Sequence, residues 1–315
     1  MSTLGQAMES EIREQPGVLA QNEARYLQVL ADRLAGREFG QAALVARGSS
    51  DNAALYLRYL IEVYLKTPVS LAAPSVHTVY GSKVNYRNCL GVGISQSGQA
   101  PDVLAVLRSL SEAGHFTVAI TNDADSPLAV IADFHLDLGV GPELSIAATK
   151  TYSASLLAGY QLVRALGAKL PAPVLQDDGW LEVCRVAADN DADAVLNSSV
   201  VFALGRGFSF ASAQETALKL IECALVPCKS YSSADFQHGP RAVADVDASA
   251  IVYGEPPENL AETGIRIIEA PDAGDGPDAP IREAVFAQQL ALAAARRRGL
   301  DPDEARNLEK ITKTL

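Results

Sequence analysis

The sequence is poor in the residues that cross-linking, metal binding and nucleic-acid binding require. It has four cysteines in 315 residues. They do not form a disulfide framework, so Cys89, Cys184, Cys223 and Cys228 read as reduced thiols, the state expected in the cytoplasm. The four histidines, His77, His115, His135 and His238, show no metal-ligand spacing, and no bound metal is expected. Basic residues are in the minority: 26 Lys and Arg stand against 38 Asp and Glu, a formal charge of −12. Such a chain lacks the basic field of general nucleic-acid binding. Any anion it binds must be held by local donors against the global charge. No apolar run approaches the ~18–20 residues that span a bilayer, so no membrane partner is expected. The start, MSTLGQAMESEIREQP, is acidic where a signal peptide is basic and then apolar. No Gly-Lys-Ser/Thr follows a glycine loop and no G-x-G-x-x-G occurs, so no nucleotide cofactor is expected. A G-x-S-x-G nucleophile elbow is missing too. The chain begins Met-Ser, and so carries no N-terminal cysteine of the kind that glutamine amidotransferases use as nucleophile.

Hydrophobic residues make up 48% of the chain, enough for a large core, and the length suits two domains of about 150 residues. Residues 5–35 read as helical, interrupted near Pro16, with Tyr26, Val29, Leu30 and Leu34 at helical spacing. From residue 40, short apolar strands alternate with helices. The strands are Ala42–Ala46, VSLAA (69–73), CLGVGI (89–94), FTVAIT (116–121) and FHLDL (134–138). ATKTYSASLLAGYQLVRALG (148–167) is a long helix. KLPAPVLQDD (169–178) reads as a linker, and 179–196 as a helix. This alternation predicts parallel α/β sheets with crossover helices.

The pattern then begins again. ARGSSDNAALYLRYLIE, with Arg47 and Glu62, is matched by GRGFSFASAQETALKLIE, with Arg206 and Glu222. Each is a strand, an Arg-Gly turn with serine, and a helix ending Leu-Ile-Glu, and the offset between copies is constant to within one residue. The expected organisation is an N-terminal helical segment (1–39), a first α/β domain (40–168), a linker and helix (169–197), a second α/β domain (198–300) and a C-terminal tail (301–315).

In open parallel sheets, ligands bind beyond the carboxyl ends of the strands. RGSSD (47–51) and SQSGQ (95–99) both follow buried strands there. Helix starts offer unpaired N–H groups and a positive dipole end, which favour phosphate. Ser50 and Ser97 either hold such an anion or simply cap their helices. Further on, ALKLIE (217–222) ends in Glu222 amid apolar residues, where a carboxylate is partly shielded, as a general base requires. His238 lies in FQHGPR, where Gly239 and Pro240 preclude a regular helix, so a Glu222/His238 pair is a second candidate. Cys223 and Cys228 sit among apolar residues and read as packed thiols.

Together these segments resemble the sugar isomerase (SIS) family. The carriers are EIREQP (11–16), RGSSDNA (47–53), ISQSGQAPD (94–102), AATKTY (147–152), ALKLIE (217–222), FQHGP (236–240) and DPDEARNLEKITKTL (301–315). The resemblance includes the isomerase half of glucosamine-6-phosphate synthase. AAPSV with VYG (72–81), SSADFQHGP and KITKTL point to the SIS-type glucosamine-6-phosphate deaminases, which lack a glutaminase domain.

The resemblance implies an α/β fold of two similar units, each a flavodoxin-like parallel sheet flanked by helices. It implies conversion of glucosamine 6-phosphate to fructose 6-phosphate and ammonia without a cofactor. Ser50, Ser95, Gln96 and Ser97 would hold phosphate and sugar, with backbone near Ile146 beside them. Glu222 would move the proton between C1 and C2. His238 would open the ring from a neighbouring subunit of a homodimer. Lys310 would close over the sugar, and Lys219 and Glu215 would order the site. Two departures stand out: Ala100 replaces a hydroxyl residue that helps hold phosphate, and the stretch after Val252 is short, so a smaller or irregular second sheet is expected. The rival activities are a fructosamine-type deglycase, another aminosugar-phosphate isomerase, or a sugar-phosphate-binding regulator.

Overall fold

The computed structural model describes residues 4–310. In chain order its helices are α1 (Gln6–Leu34), α2 (Ser49–Leu60), α3 (Ser75–Thr78), α4 (Pro101–Glu112), α5 (Pro127–Ile131), α6 (Lys150–Ala165), α7 (Asp178–Asn197), α8 (Phe210–Ala224), α9 (Ser233–Phe236) and α10 (Ala279–Arg297). Its strands are β1 (Gln41–Val45), β2 (Val69–Leu71), β3 (Cys89–Ile94), β4 (Phe116–Thr121), β5 (Phe134–Asp137), β6 (Val200–Gly205), β7 (Cys228–Ser232), β8 (Ala248–Val252) and β9 (Arg266–Glu269). Among the described residues, no helix is long and apolar enough to cross a membrane.

The chain divides into two compact units, neither a continuous stretch. The first-sheet unit comprises Gly17–Pro142 and Thr151–Pro173 of the described residues. The second-sheet unit comprises 4–16, Glu143–Lys150 and Val174–Lys310.

The first sheet runs β2-β1-β3-β4-β5, and all neighbours are parallel. Every residue of β3 is buried, as the unbroken apolar run predicts for a strand covered on both faces. Val103, Val106, Leu107 and Leu110 recur at helical spacing on α4 and pack with Ala43, Val45, Cys89 and Ala119 of the sheet. The strand order reverses at β1, whose neighbours are β2 on one side and β3 on the other. This is the flavodoxin-like order, and its ligand crevice lies beyond the carboxyl ends of β1 and β3.

The second sheet runs β7-β6-β8-β9, again all parallel. It repeats the first four positions of the first sheet and stops. The expectation of a smaller second sheet holds; that of an irregular one does not. The short stretch after Val252 still delivers β9, with Ile267 opposite Ala250 in regular register. Behind this sheet α10 packs on α7 and α8, and Val285, Phe286 and Leu290 are fully buried.

One local expectation is corrected. The N-terminal helix is not interrupted: α1 continues through Pro16. Proline removes one backbone donor, but Met8, Ile12 and Leu19 around it are fully buried, and that burial outweighs one lost bond. Of the C-terminal tail, residues 301–310 are described. A 3-10 turn at Pro302–Glu304 is followed by irregular chain to Lys310, Leu308 is exposed, and Ile311, with the rest of KITKTL beyond Lys310, lies outside the described residues. The tail is tied down by burial of Pro302 and Ala305 and by polar bonds. Asp301 accepts from Gly5 N–H at 2.9 Å, and Asp303 accepts from Ala7 and Met8 N–H at 2.7 and 2.9 Å. These carboxylates satisfy donors that the first turn of α1 cannot satisfy itself.

Candidate active site

In the first-sheet unit, β1 leads through Arg47-Gly48 into α2, and β3 leads through Ser95–Ala100 into α4. Ser50, Ser95, Gln96 and Ser97 therefore stand at the ends of two hydrogen-bonded neighbours in the sheet. The N-cap residues are Gly48 and Ala100, and neither helix has a side-chain cap. Ser50 lies within the first turn of α2, and Ser97 accepts a weak 3.4 Å bond from Gln99 N–H. Neither serine caps its helix; in the first turn of α2 the N–H groups of Asp51 and Asn52 bond the Gly48 carbonyl, and in that of α4 the Val103 N–H bonds Asp102 Oδ1. Ser95 Oγ accepts from Gly98 N–H at 3.1 Å and shapes the turn. Gly98 has φ +61°, and a Cβ there would lie 2.2 Å from Ser126 Oγ. Only glycine fits this turn.

In the second-sheet unit, Glu215, Lys219 and Glu222 line one face of α8. Lys219 is 1% exposed, 3.4 Å from the Glu215 carboxylate and 2.6 Å from that of Glu222. Burial alone would strip the ammonium of its proton, but the two carboxylates outweigh it and hold the proton on. Glu222 sits at the open end of the series, with 22% of its side chain exposed. The next residue, Cys223, has its thiol pushed up to about 12 by burial, which bears out its reading as a packed thiol. All four cysteines are buried and free.

A second polar cluster forms on the loop before α6. Lys310 Nζ donates to Glu143 Oε2 at 2.9 Å and to the Ser145 carbonyl at 2.5 Å. Lys310 and the backbone next to Ile146 are thus brought together. Glu143 is buried and also accepts from Thr149 N–H and Oγ1. Glu11 of α1 accepts from the N–H groups of Leu144 and Ser145 and from Thr149 Oγ1. Burial, and then the charge of Glu143, raise the Glu11 pKa against these bonds. Glu11, Glu143 and Thr149 escaped the sequence reading. Glu11 lay within a quoted motif, but its partners are more than a hundred residues away.

His238 is exposed in the turn between α9 and a 3-10 turn at Pro240–Val243. Among the described residues its side chain has no hydrogen bond or ion pair, and none links it to Glu222. Its neighbours Val243 and Val246 are exposed hydrophobics, 57% and 77% accessible.

The second sheet has its own crevice, a cleft of about 920 Å³ beyond β6, β8 and β9. This crevice carries Ser209 and Ser233 together with Glu255, Glu258, Glu269 and Asp272, with Arg206 as counter-charge. At its base Glu283 accepts from Ser209 and Ser212 at 2.8 and 2.5 Å. Burial pushes the Glu283 carboxyl up to about 7 despite those bonds.

Two flavodoxin-like parallel units with a serine-lined crevice define the class. A family model, the SIS domain, matches residues 37–165. A candidate phosphosugar isomerase from Silicibacter pomeroyi DSS-3 is 33% identical, with a TM-score of 0.77, over 94% of this chain and 99% of that one. The glutamine–fructose-6-phosphate aminotransferases (isomerizing) of Mycolicibacterium smegmatis and Methanothermobacter thermautotrophicus are 30% and 31% identical, over 96% of this chain and 56% of theirs. The chain thus spans about half the length of these curated relatives. Glucosamine-6-phosphate deaminase from Thermotoga maritima shares the fold, with a TM-score of 0.82 at 22% identity, over 98% of this chain and all of that one. The chain belongs to the SIS domain family, in its phosphosugar isomerase group.

Proposed function

We propose that the protein is an aminosugar-phosphate isomerase that deaminates glucosamine 6-phosphate to fructose 6-phosphate and ammonia. The observation that carries this reading is the pair of helix starts at β1 and β3, both without a side-chain cap and both furnished with serine hydroxyls. Ser50, Ser95, Gln96 and Ser97 take the phosphate and adjoining sugar hydroxyls, and the backbone near Ile146 borders the sugar. His238, exposed and without a side-chain partner, opens the ring in a neighbouring subunit of a homodimer. Glu222 takes the proton from C2 and returns it at C1, which leaves an imine at C2. Water adds to that carbon and ammonia leaves, so one water is consumed for each ammonia released. Lys219 and Glu215 hold Glu222, and Lys310 closes over the open-chain sugar. No step calls for a cofactor.

Incubation of the purified chain with glucosamine 6-phosphate tests the reading. Equal amounts of fructose 6-phosphate and ammonia are expected. Turnover of a fructosamine phosphate alone would replace it with a deglycase activity. Tight binding without turnover of either would make the protein a sugar-phosphate-binding regulator.

A further inference from the structure

The two serine turns are linked by an ion pair. Arg47, which ends the strand-to-helix turn after β1, donates from Nε to Asp102 Oδ2 at 2.5 Å. Asp102 lies in the first turn of α4 and its side chain is 3% exposed, whereas that of Arg47 is 56% exposed. The carboxylate has little other support: among the described residues its second oxygen accepts from the adjacent Val103 N–H alone. The guanidinium is also within electrostatic reach of Asp51 in the same turn. Its two Nη groups have no hydrogen-bond partner among the described residues.

A buried carboxylate at the start of α4 opposes an incoming anion. The Nε bond cancels that charge and, in doing so, fixes the guanidinium beside the turn. Two charge-assisted donors then remain for a third party. Such a planar fork matches phosphate oxygens and is stronger than a neutral hydroxyl. The α4 helix start has a corresponding deficit, because its N-cap is Ala100, which offers neither a cap nor a donor.

We propose that Arg47 is a substrate-binding residue that selects the phosphorylated sugar, taking with its Nη groups the place that a hydroxyl at position 100 would hold. This rests on the crevice being a phosphosugar site, as proposed above.

Calorimetric titration with fructose 6-phosphate, unphosphorylated fructose and inorganic phosphate tests both claims. Arg47→Ala is expected to weaken fructose 6-phosphate and phosphate by about 10- to 100-fold, as for loss of charged hydrogen bonds, and to leave fructose unaffected. Arg47→Lys, which keeps the charge on Asp102, should fall between. Ala100→Thr in the Arg47→Ala background should recover part of the loss. In kinetics the Arg47→Ala effect should appear in KM with kcat nearly unchanged. A merely structural ion pair would lower thermal stability without changing the preference for phosphorylated sugar, and Ala100→Thr would rescue nothing. Should Arg47→Ala fail to fold, Arg47→Lys and Arg47→Gln carry the same comparison. A wild-type chain that binds no sugar phosphate overturns the phosphosugar reading, and this inference with it. Normal wild-type binding with unchanged affinity in the Arg47 variants overturns this inference alone.

Discussion

Glu222 closes a buried charge series, with Lys219 on its inner side and an exposed edge on the other. That arrangement suits a base that must be both oriented and reachable. Glu222→Gln is expected to lower kcat by about 10²- to 10⁴-fold, the usual weight of general-base catalysis, with sugar-phosphate binding close to intact. Steady-state rates and a binding titration check this, and a variant with half the wild-type kcat removes Glu222 from the role. Glu283 provides a pH-dependent case. Its folded pKa is raised to about 7 by burial, above that of an unfolded glutamate. Between pH 4.5 and 7 the folded state therefore holds more proton than the unfolded one, and stability falls as pH rises through that window. The loss is on the order of 3 kcal/mol. Urea midpoints at pH 5 and pH 8 should show it in the wild type and show less of it in Glu283→Gln.

At the scale of elements, the C-terminal tail has two separable tasks. Its first part caps α1 through Asp301 and Asp303, and its later part brings Lys310 to Glu143. Asp303→Ala should cost about 0.5–2 kcal/mol, the range for a lost helix cap, and leave kcat largely unaltered. Removal of residues 306–315, or Lys310→Ala alone, should do the reverse. Turnover falls sharply because a closing segment completes the site. Stability falls only modestly, because Glu143 keeps its two bonds from Thr149. Melting temperature and kcat measured on the three variants decide it. Full turnover by the truncated chain would take Lys310 out of the catalytic set.

At the scale of the whole molecule, the two sheets end in different surroundings. Helices without a side-chain cap and serines follow strands in both, and the second adds Arg206 and a group of carboxylates. Assembly is the other question at this scale. An exposed His238 without a partner of its own, beside exposed Val243 and Val246, suits donation to a neighbouring subunit. Mixing inactive Glu222→Gln and inactive His238→Ala chains should then restore part of the activity, since a mixed dimer holds one intact site. No recovery after verified subunit exchange would place both residues in the same chain's site.

The five strands of the first sheet, β6, their alternation with helices and the repeated Arg-Gly turns were legible in the linear chain; β7, β8 and β9 were not read from it. Each legible feature depends on neighbours within a few positions: a strand covered on both faces needs an apolar run, and a turn beneath a helix needs glycine and small polar residues. The turn at Ser95–Gly98 is of this kind, as is the spacing of Glu215, Lys219 and Glu222 on α8. Lys310 reaching Glu143 across 167 residues, or Asp303 capping α1 across 295, leaves no such local trace. Nor could composition tell that α1 runs through Pro16, or that Arg47 rests on Asp102. Those outcomes follow from which groups are buried together, because a buried carboxylate or an unsatisfied helix end must find its partner wherever the folded chain supplies one. Local pattern settled the elements of the first unit and their order; long-range burial chose the charged partners around the candidate site.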